Sequence, residues 1–263
     1  MDSDKVVYWS KEDGVAIIFI DNPPMNTLSS AVVEQLNKVA DEVERDREVI
    51  AVILSGRGNK AFVAGGNIKE FPGWMGIGAE YAETRSLWLQ EPLNKIENLS
   101  KPTIAAINGF ALGGGCELAL SCDMRIAEEQ VLIGLPEIKL GLFPGAGGTQ
   151  RLPRLIGAGK AKEMMFTGEP IPAYEAKRIG LVNDVVPQGS ALEKAKELAQ
   201  RISRFSLPAL SLMKKAVDEG NAATLGEGLK IEAKYFGEVF QTEDIKEGVN
   251  AFIEKRDPRF THK

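Results

Sequence analysis

The chain has 263 residues, 44% of them hydrophobic and 26% charged, with a net charge of −5. That length suits one large domain, or one with a small appendage, and the apolar content excludes a disordered chain. The mild acidity leaves no whole-chain footprint for nucleic acid. The single histidine, His262, excludes a multi-histidine zinc site and leaves a Ser-His-Asp or Cys-His centre only a frayed tail to use.

Val6–Trp9 and Val15–Ile20 are short β-branched and aromatic runs parted by Glu12-Asp13-Gly14, which predicts a hairpin. After the break at Asn22-Pro23-Pro24, Ser29 or Ser30 is placed to cap an amphipathic helix running to about Asp46. The apolar run Val49–Ser55 reads as a buried strand, and Ala61–Asn67 as a small-residue loop. A helix is expected over Ala79–Leu99, a buried strand over Thr103–Ile107, a loop over Asn108–Gly115, and a helix over Gly114–Ser121. Met124–Ala127 and Val131–Ile133 read as short strands, followed by the Gly-rich loop Gly141–Gly148 and a helix through Arg151. From Lys160 onward helices dominate, at Ala191–Ser203, Pro208–Glu219, Leu225–Phe240 and Thr242–Glu254, with one strand near Val182–Val186. The order is strand-rich α/β first and all-helical last. No G-x-G-x-x-G opens a helix, which disfavours a dinucleotide fold.

Cys116 and Cys122 lie six apart in an apolar helix and do not face each other on successive turns, so two buried free thiols and a reducing compartment are expected. The first residues, Met1-Asp2-Ser3-Asp4-Lys5, resemble neither a signal peptide nor a transit peptide. The apolar runs are too short and interrupted for a transmembrane helix, so the expected location is the cytoplasm.

Three glycine-rich segments suggest backbone amides presented to a ligand, or simply tight turns: 61–67, 108–117 and 143–149. In the second, Gly113-Gly114-Gly115 precedes an apolar helix with Glu117 in its first turn. A helix N-terminus has unpaired N–H groups and partial positive charge, which polarises a carbonyl and stabilises enolate charge. Glu117 is one turn away, either complementing the helix dipole or acting on the same substrate. Glu137, twenty residues on, follows Pro136 at a rigid turn. Alone it reads as a surface residue. Together the two carboxylates can converge on one water, one as general base and one as general acid.

In order along the chain, Ala64-Gly65-Gly66-Asn67, the run from Ala105 to Leu118 and the run from Pro136 to Leu152 closely resemble the crotonase superfamily, and within it the enoyl-CoA hydratases. So do Thr167-Gly168, the Ala173–Val182 stretch and Glu247–Arg256, so the resemblance runs nearly the full chain. It implies an α/β fold, a crotonase-type spiral of repeated β-β-α units over residues 1–195, with a C-terminal helical trimerisation region over 196–263. It implies an oxyanion hole from the Gly66 and Gly114 amides, Glu117 and Glu137 as the catalytic pair, and Gly145 beside the thioester. Ala64, Asn67 and Ile68 are implied to border the substrate, and Phe252 and Lys255 to reach the CoA of a neighbouring subunit. The implied partners are an acyl-CoA thioester and further copies of the chain, in a homotrimer or homohexamer. No metal, redox cofactor, nucleic acid or membrane is implied.

One departure is Asn67, where the family usually has Asp; Asn can still cap the following turn. The stretch Phe71–Tyr81, which helps shape the acyl pocket, is longer than usual. The implied reaction is hydration of a trans-2-enoyl-CoA. The rivals are a Δ3,Δ2-enoyl-CoA isomerase, which needs one carboxylate, and a non-catalytic RNA-binding or scaffold member.

Overall fold

The computed structural model describes residues 5–263. β1 (Val7–Glu12) and β2 (Val15–Ile20) pair antiparallel across the two-residue turn Asp13-Gly14. α1 (Ser30–Arg45) starts where the Ser29 side chain accepts from the Val32 amide. Its buried positions Val32, Leu36, Val39 and Val43 recur at helical spacing. β3 (Ala51–Gly56), β4 (Ala61–Ala64), a 3₁₀ segment at Ile68–Trp74 and α2 (Ala79–Glu97) follow. Then come β5 (Thr103–Ile107), β6 (Phe110–Leu112) and α3 (Gly114–Leu120). Next are β7 (Met124–Glu128), β8 (Leu132–Gly134), a 3₁₀ turn at Glu137–Leu140 and α4 (Gly148–Ile156). The rest is α5 (Ala158–Thr167), β9 (Ile171–Pro172), α6 (Ala173–Arg178), β10 (Asp184–Val186), α7 (Ala191–Ile202), α8 (Leu207–Asn221), α9 (Leu225–Val239) and α10 (Glu243–Glu254).

The repeat is β-β-α. The first strand of each unit, β3, β5 or β7, joins a six-stranded sheet ordered β1-β2-β3-β5-β7-β10; the second, β4, β6 or β8, joins a four-stranded sheet with β9. Neighbouring units pair in parallel, so each turn of the spiral stacks on the last. Both faces of the larger sheet's inner strands β2, β3 and β5 are covered, so these strands are buried along their length without alternation. Val52, Leu54, Ala105 and Ile107 face the spiral interior. Ala51, Ile53, Ile104 and Ala106 face the other way, onto Ala191, Ala195 and Ala199 of α7. Those three alanines, four residues apart, let the helix lie close to the sheet.

Two segments expected as loops contain strands. β4 lies in 61–67 and β6 in 108–115, where Ala61 pairs with Phe110 and Ala64 with Leu112. Their short runs give little period-2 signal, and they form because they meet each other across the spiral. The expected division at 195/196 falls inside α7.

Candidate active site

α3 sets the site. Gly113 caps it at φ 53°, ψ −125°, a conformation that favours glycine, and its amide donates to the Gly134 carbonyl at 2.9 Å. The Gly114 amide opens the helix and has no acceptor within it. The Gly66 amide faces the same space. Leu28 pairs with Gly66 as a parallel bridge, donating to Gly65 O and accepting from Asn67 N, so the N–H of Gly66 itself points away from that strand. A methyl placed on Gly114 would sit 3.7 Å from the Gly66 nitrogen, which measures how closely the two backbones approach.

Gly115 makes this approach possible. A Cβ there would lie within 1.8 Å of the Val63 carbonyl oxygen. Gly115→Ala is therefore expected to force β4 and α3 apart and destabilise the fold by ~1–3 kcal/mol. A lowered urea midpoint at unchanged slope is the check; an unchanged midpoint would mean that the contact relaxes freely.

Glu117 is buried, 2% exposed. Its Oε1 accepts from the amides of Ala146 and Gly148, both at 2.8 Å. Burial raises its pKa, and the Gly148 and Ala146 amides, with Arg151 beyond them, oppose that rise. Glu137 starts the 3₁₀ turn after Pro136, as its rigid placement predicted. A Cβ on Gly113 would come 3.0 Å from Glu137 Oε1, so the absence of a side chain there admits this carboxyl. Glu137 Oε2 is buried with no hydrogen-bond partner among the described residues. Burial first, and the nearby Glu117 charge second, push its pKa up to about 7.

The two carboxyls border one cavity of about 400 Å³ that also takes in Ala64, Gly66, Ile68, Gly114 and Gly145. Leu28, Phe71, Trp74, Leu89, Leu142 and Phe143 give it an apolar wall. Phe71 and Trp74 stack at 4.4 Å, and the Arg85 guanidinium lies between the Trp74 and Trp88 rings, 5.0 and 3.9 Å from their centroids. These contacts order the long segment after Asn67. Three sequence candidates stand apart from this cavity. Asn67 precedes the 3₁₀ segment, but its side chain does not cap it; Nδ2 donates to Glu70 Oε1 at 2.8 Å instead. Glu70 in turn holds the Ser30 hydroxyl at 2.7 Å, so the carboxylate in this loop comes from position 70. Phe252 lies exposed on α10 and Lys255 caps its C-terminus.

Sequence reasoning missed the Ala146 and Gly148 amides as partners of Glu117, and the α2 side chains behind them. The glycine loop was visible as a donor surface; that two of its amides serve a carboxylate was not. Cys116 and Cys122 are free and buried, as expected, and burial pushes the Cys122 thiol up to about 12.

Two backbone amides on one cavity, beside the buried Glu117 carboxyl and the half-buried Glu137 carboxyl, form a site suited to acid–base chemistry next to a polarised carbonyl. A model of the Enoyl-CoA hydratase/isomerase family matches residues 10–263. The chain is 46% identical over 253 residues to the short-chain-enoyl-CoA hydratase of Clostridium acetobutylicum, covering 95% of both chains. It is 43% identical to the crotonyl-CoA hydratase of Syntrophomonas wolfei, covering 96% of both. The crystal structure of an enoyl-CoA hydratase from Bacillus anthracis superposes with a TM-score of 0.92 at 41% identity, over 98% of this chain and all of that one. The protein belongs to the enoyl-CoA hydratase/isomerase family, and its fold is the crotonase spiral that the motifs implied.

Proposed function

We propose that the protein is an enoyl-CoA hydratase, adding water reversibly across the double bond of a trans-2-enoyl-CoA to give a 3-hydroxyacyl-CoA. The observation that carries this is the unequal carboxyl pair: Glu117 has two amide donors, while Glu137 has a bare, buried Oε2. Burial raises both carboxyls, but the amide donors favour the charged form of Glu117 alone, so on this reading the proton shared by the pair resides on Glu137. The thioester oxygen accepts from the Gly66 and Gly114 amides, which favour enolate charge over the ground state. Ionised Glu117 takes a proton from the water attacking C3, and Glu137 delivers one to C2. No metal or redox cofactor takes part; coenzyme A arrives with the substrate. Ala64, Ile68 and Gly145 border the thioester and the first acyl carbons. The relatives named for short-chain and crotonyl substrates favour a short acyl chain here too.

The isomerase reading requires one carboxylate only, so two in one cavity favour hydration. A nucleic-acid role fares worse, because two basic groups of the helical region are matched by acids: Lys160 with Glu163, and Lys214 with Asp123. A panel of 2-enoyl and 3-enoyl thioesters of graded length tests the reading. Loss of the conjugated double bond of short 2-enoyl-CoAs is expected; movement of the 3-double bond without hydration would replace hydratase by isomerase.

The apolar side chains exposed on α9 and α10, among them Leu225, Leu229, Phe236, Phe252 and Ile253, support an oligomer built through residues 196–263, trimeric or hexameric. In that assembly Phe252 and Lys255 would meet the CoA of a neighbour. Among the described residues no helix is long and apolar enough to cross a membrane. Cytoplasmic action remains part of the proposal.

The pH dependence follows from Glu137. Its acid form is lost as pH rises through about 7. For hydration, kcat/KM is therefore expected to fall on the alkaline side with a midpoint near that value. Stability carries the same sign. A carboxyl raised in the folded state contributes stability that is complete below the ordinary carboxylate range and is lost as pH rises through its folded value. Melting temperature is expected to decline between weakly acidic and weakly alkaline pH, and less steeply in Glu137→Gln. A slope identical in that variant would show that Glu137 is not the group responsible.

A further inference from the structure

α2 lines the cavity through Ala82, Ser86 and Leu89, one face of the helix. It also reaches behind the glycine loop. Ser86 Oγ donates to the Gly145 carbonyl at 2.6 Å, and Gln90 Nε2 donates to the same oxygen at 2.9 Å while touching Ser86 Oγ at 3.2 Å. The Gly145 C=O and the Ala146 N–H belong to one planar peptide group. That N–H is one of the two donors to Glu117 Oε1. Two α2 side chains thus pull on one end of a rigid plane whose other end points at the carboxylate. Donation to the carbonyl also polarises the peptide and strengthens its N–H as a donor. The next carbonyl, Ala146 O, accepts from Arg151 at 3.1 Å, and Arg151 is itself held to α2 by Glu97 and Asn94. The peptide that follows the plane is therefore tied to the same helix, through Arg151.

We infer that Ser86 and Gln90 are positioning residues for Glu117: by fixing the Gly145–Ala146 peptide plane they orient that carboxylate and hold it ionised. This rests on the reading of Glu117 as the base. Gln90 does not border the cavity, so its replacement leaves the substrate wall intact.

The experiment compares Ser86→Ala, Gln90→Leu, the double variant and Ser86→Thr. The double variant is expected to lose about 10–100-fold in kcat, the scale of one charge-assisted hydrogen bond, with KM nearly unchanged and the acidic limb of the pH profile moved to higher pH. Ser86→Thr keeps the hydroxyl and should retain most of the activity. In a Glu117→Gln background the same two substitutions should cost almost nothing more, whereas general damage to the fold would add its full loss again. A second readout needs no turnover: the Glu117 carboxyl, assigned by its disappearance in Glu117→Gln, is titrated by carbon-13 NMR. Its midpoint should rise in the double variant. An unmoved midpoint, or a loss that repeats in the Glu117→Gln background, overturns the inference. If the double variant does not fold, Gln90→Leu alone carries the same titration. If wild-type protein hydrates no enoyl thioester, the catalytic reading fails, while the titration still decides whether α2 sets the charge on Glu117.

Discussion

Glu117→Gln is expected to lower kcat for hydration by about 10²–10⁴-fold, while affinity for the acyl-CoA persists. Gln keeps an oxygen acceptor for the Ala146 and Gly148 amides, so the loop that holds Glu117 has no reason to move. What disappears is the ability to take a proton from water. Glu137→Gln should cost a comparable factor by removing the acid. The double substitution should cost little more than either single one, because the two carboxyls serve one concerted exchange of protons. There is a further consequence at Glu137. The Glu117 charge is the second cause of its raised pKa, after burial, so in Glu117→Gln the Glu137 midpoint should fall below about 7 without reaching the ordinary carboxylate range. Steady-state rates on a 2-enoyl-CoA, thioester binding by calorimetry and an NMR titration of Glu137 check the three parts. Near-normal turnover in either single variant would end the two-carboxylate mechanism.

Gly114→Pro should cost about 10²–10³-fold in kcat, the scale of one oxyanion-hole donor. The position suits the test. Gly114 is the first residue of α3, where proline is tolerated because its missing N–H has no acceptor in the helix anyway. The complication is steric: any Cβ at 114 would come 2.9 Å from Leu28 Cδ1, so that flexible side chain must turn. Gly114→Ala meets the same obstacle but keeps the amide. The ratio of Ala to Pro therefore cancels the Cβ contact with Leu28 and leaves the lost N–H together with the ring carbon that replaces it. Equal rates in the two variants would remove Gly114 from the oxyanion hole.

Much of this site was legible before any coordinate. Gly113-Gly114-Gly115 ahead of an apolar run located a helix start, and Glu117 fell in its first turn. Pro136 located Glu137. Long, periodic elements such as α1, α7 and α9 came out within a few residues of their ends because hydrophobic spacing is a local property. The short strands β7 and β8 were also legible, but β4 and β6 were not: they exist through their pairing with each other, and each alone looks like a loop. Asn67 shows a subtler failure. Its identity suggested a substitute cap, whereas Glu70 three residues on competes for its amide and supplies the local carboxylate.

By itself the sequence determined which residues are chemically able to act: two carboxyls, flexible glycine loops, and no histidine near them. The tertiary structure alone decided how those carboxyls differ. The donors to Glu117 come from positions 29 and 31 residues further along the chain, and Glu137 Oε2 is left without a partner among the described residues, on the same cavity. The charge on a carboxyl depends on what replaces its water. That replacement is a matter of burial and of backbone direction, both set only when the turns of the spiral close on one another.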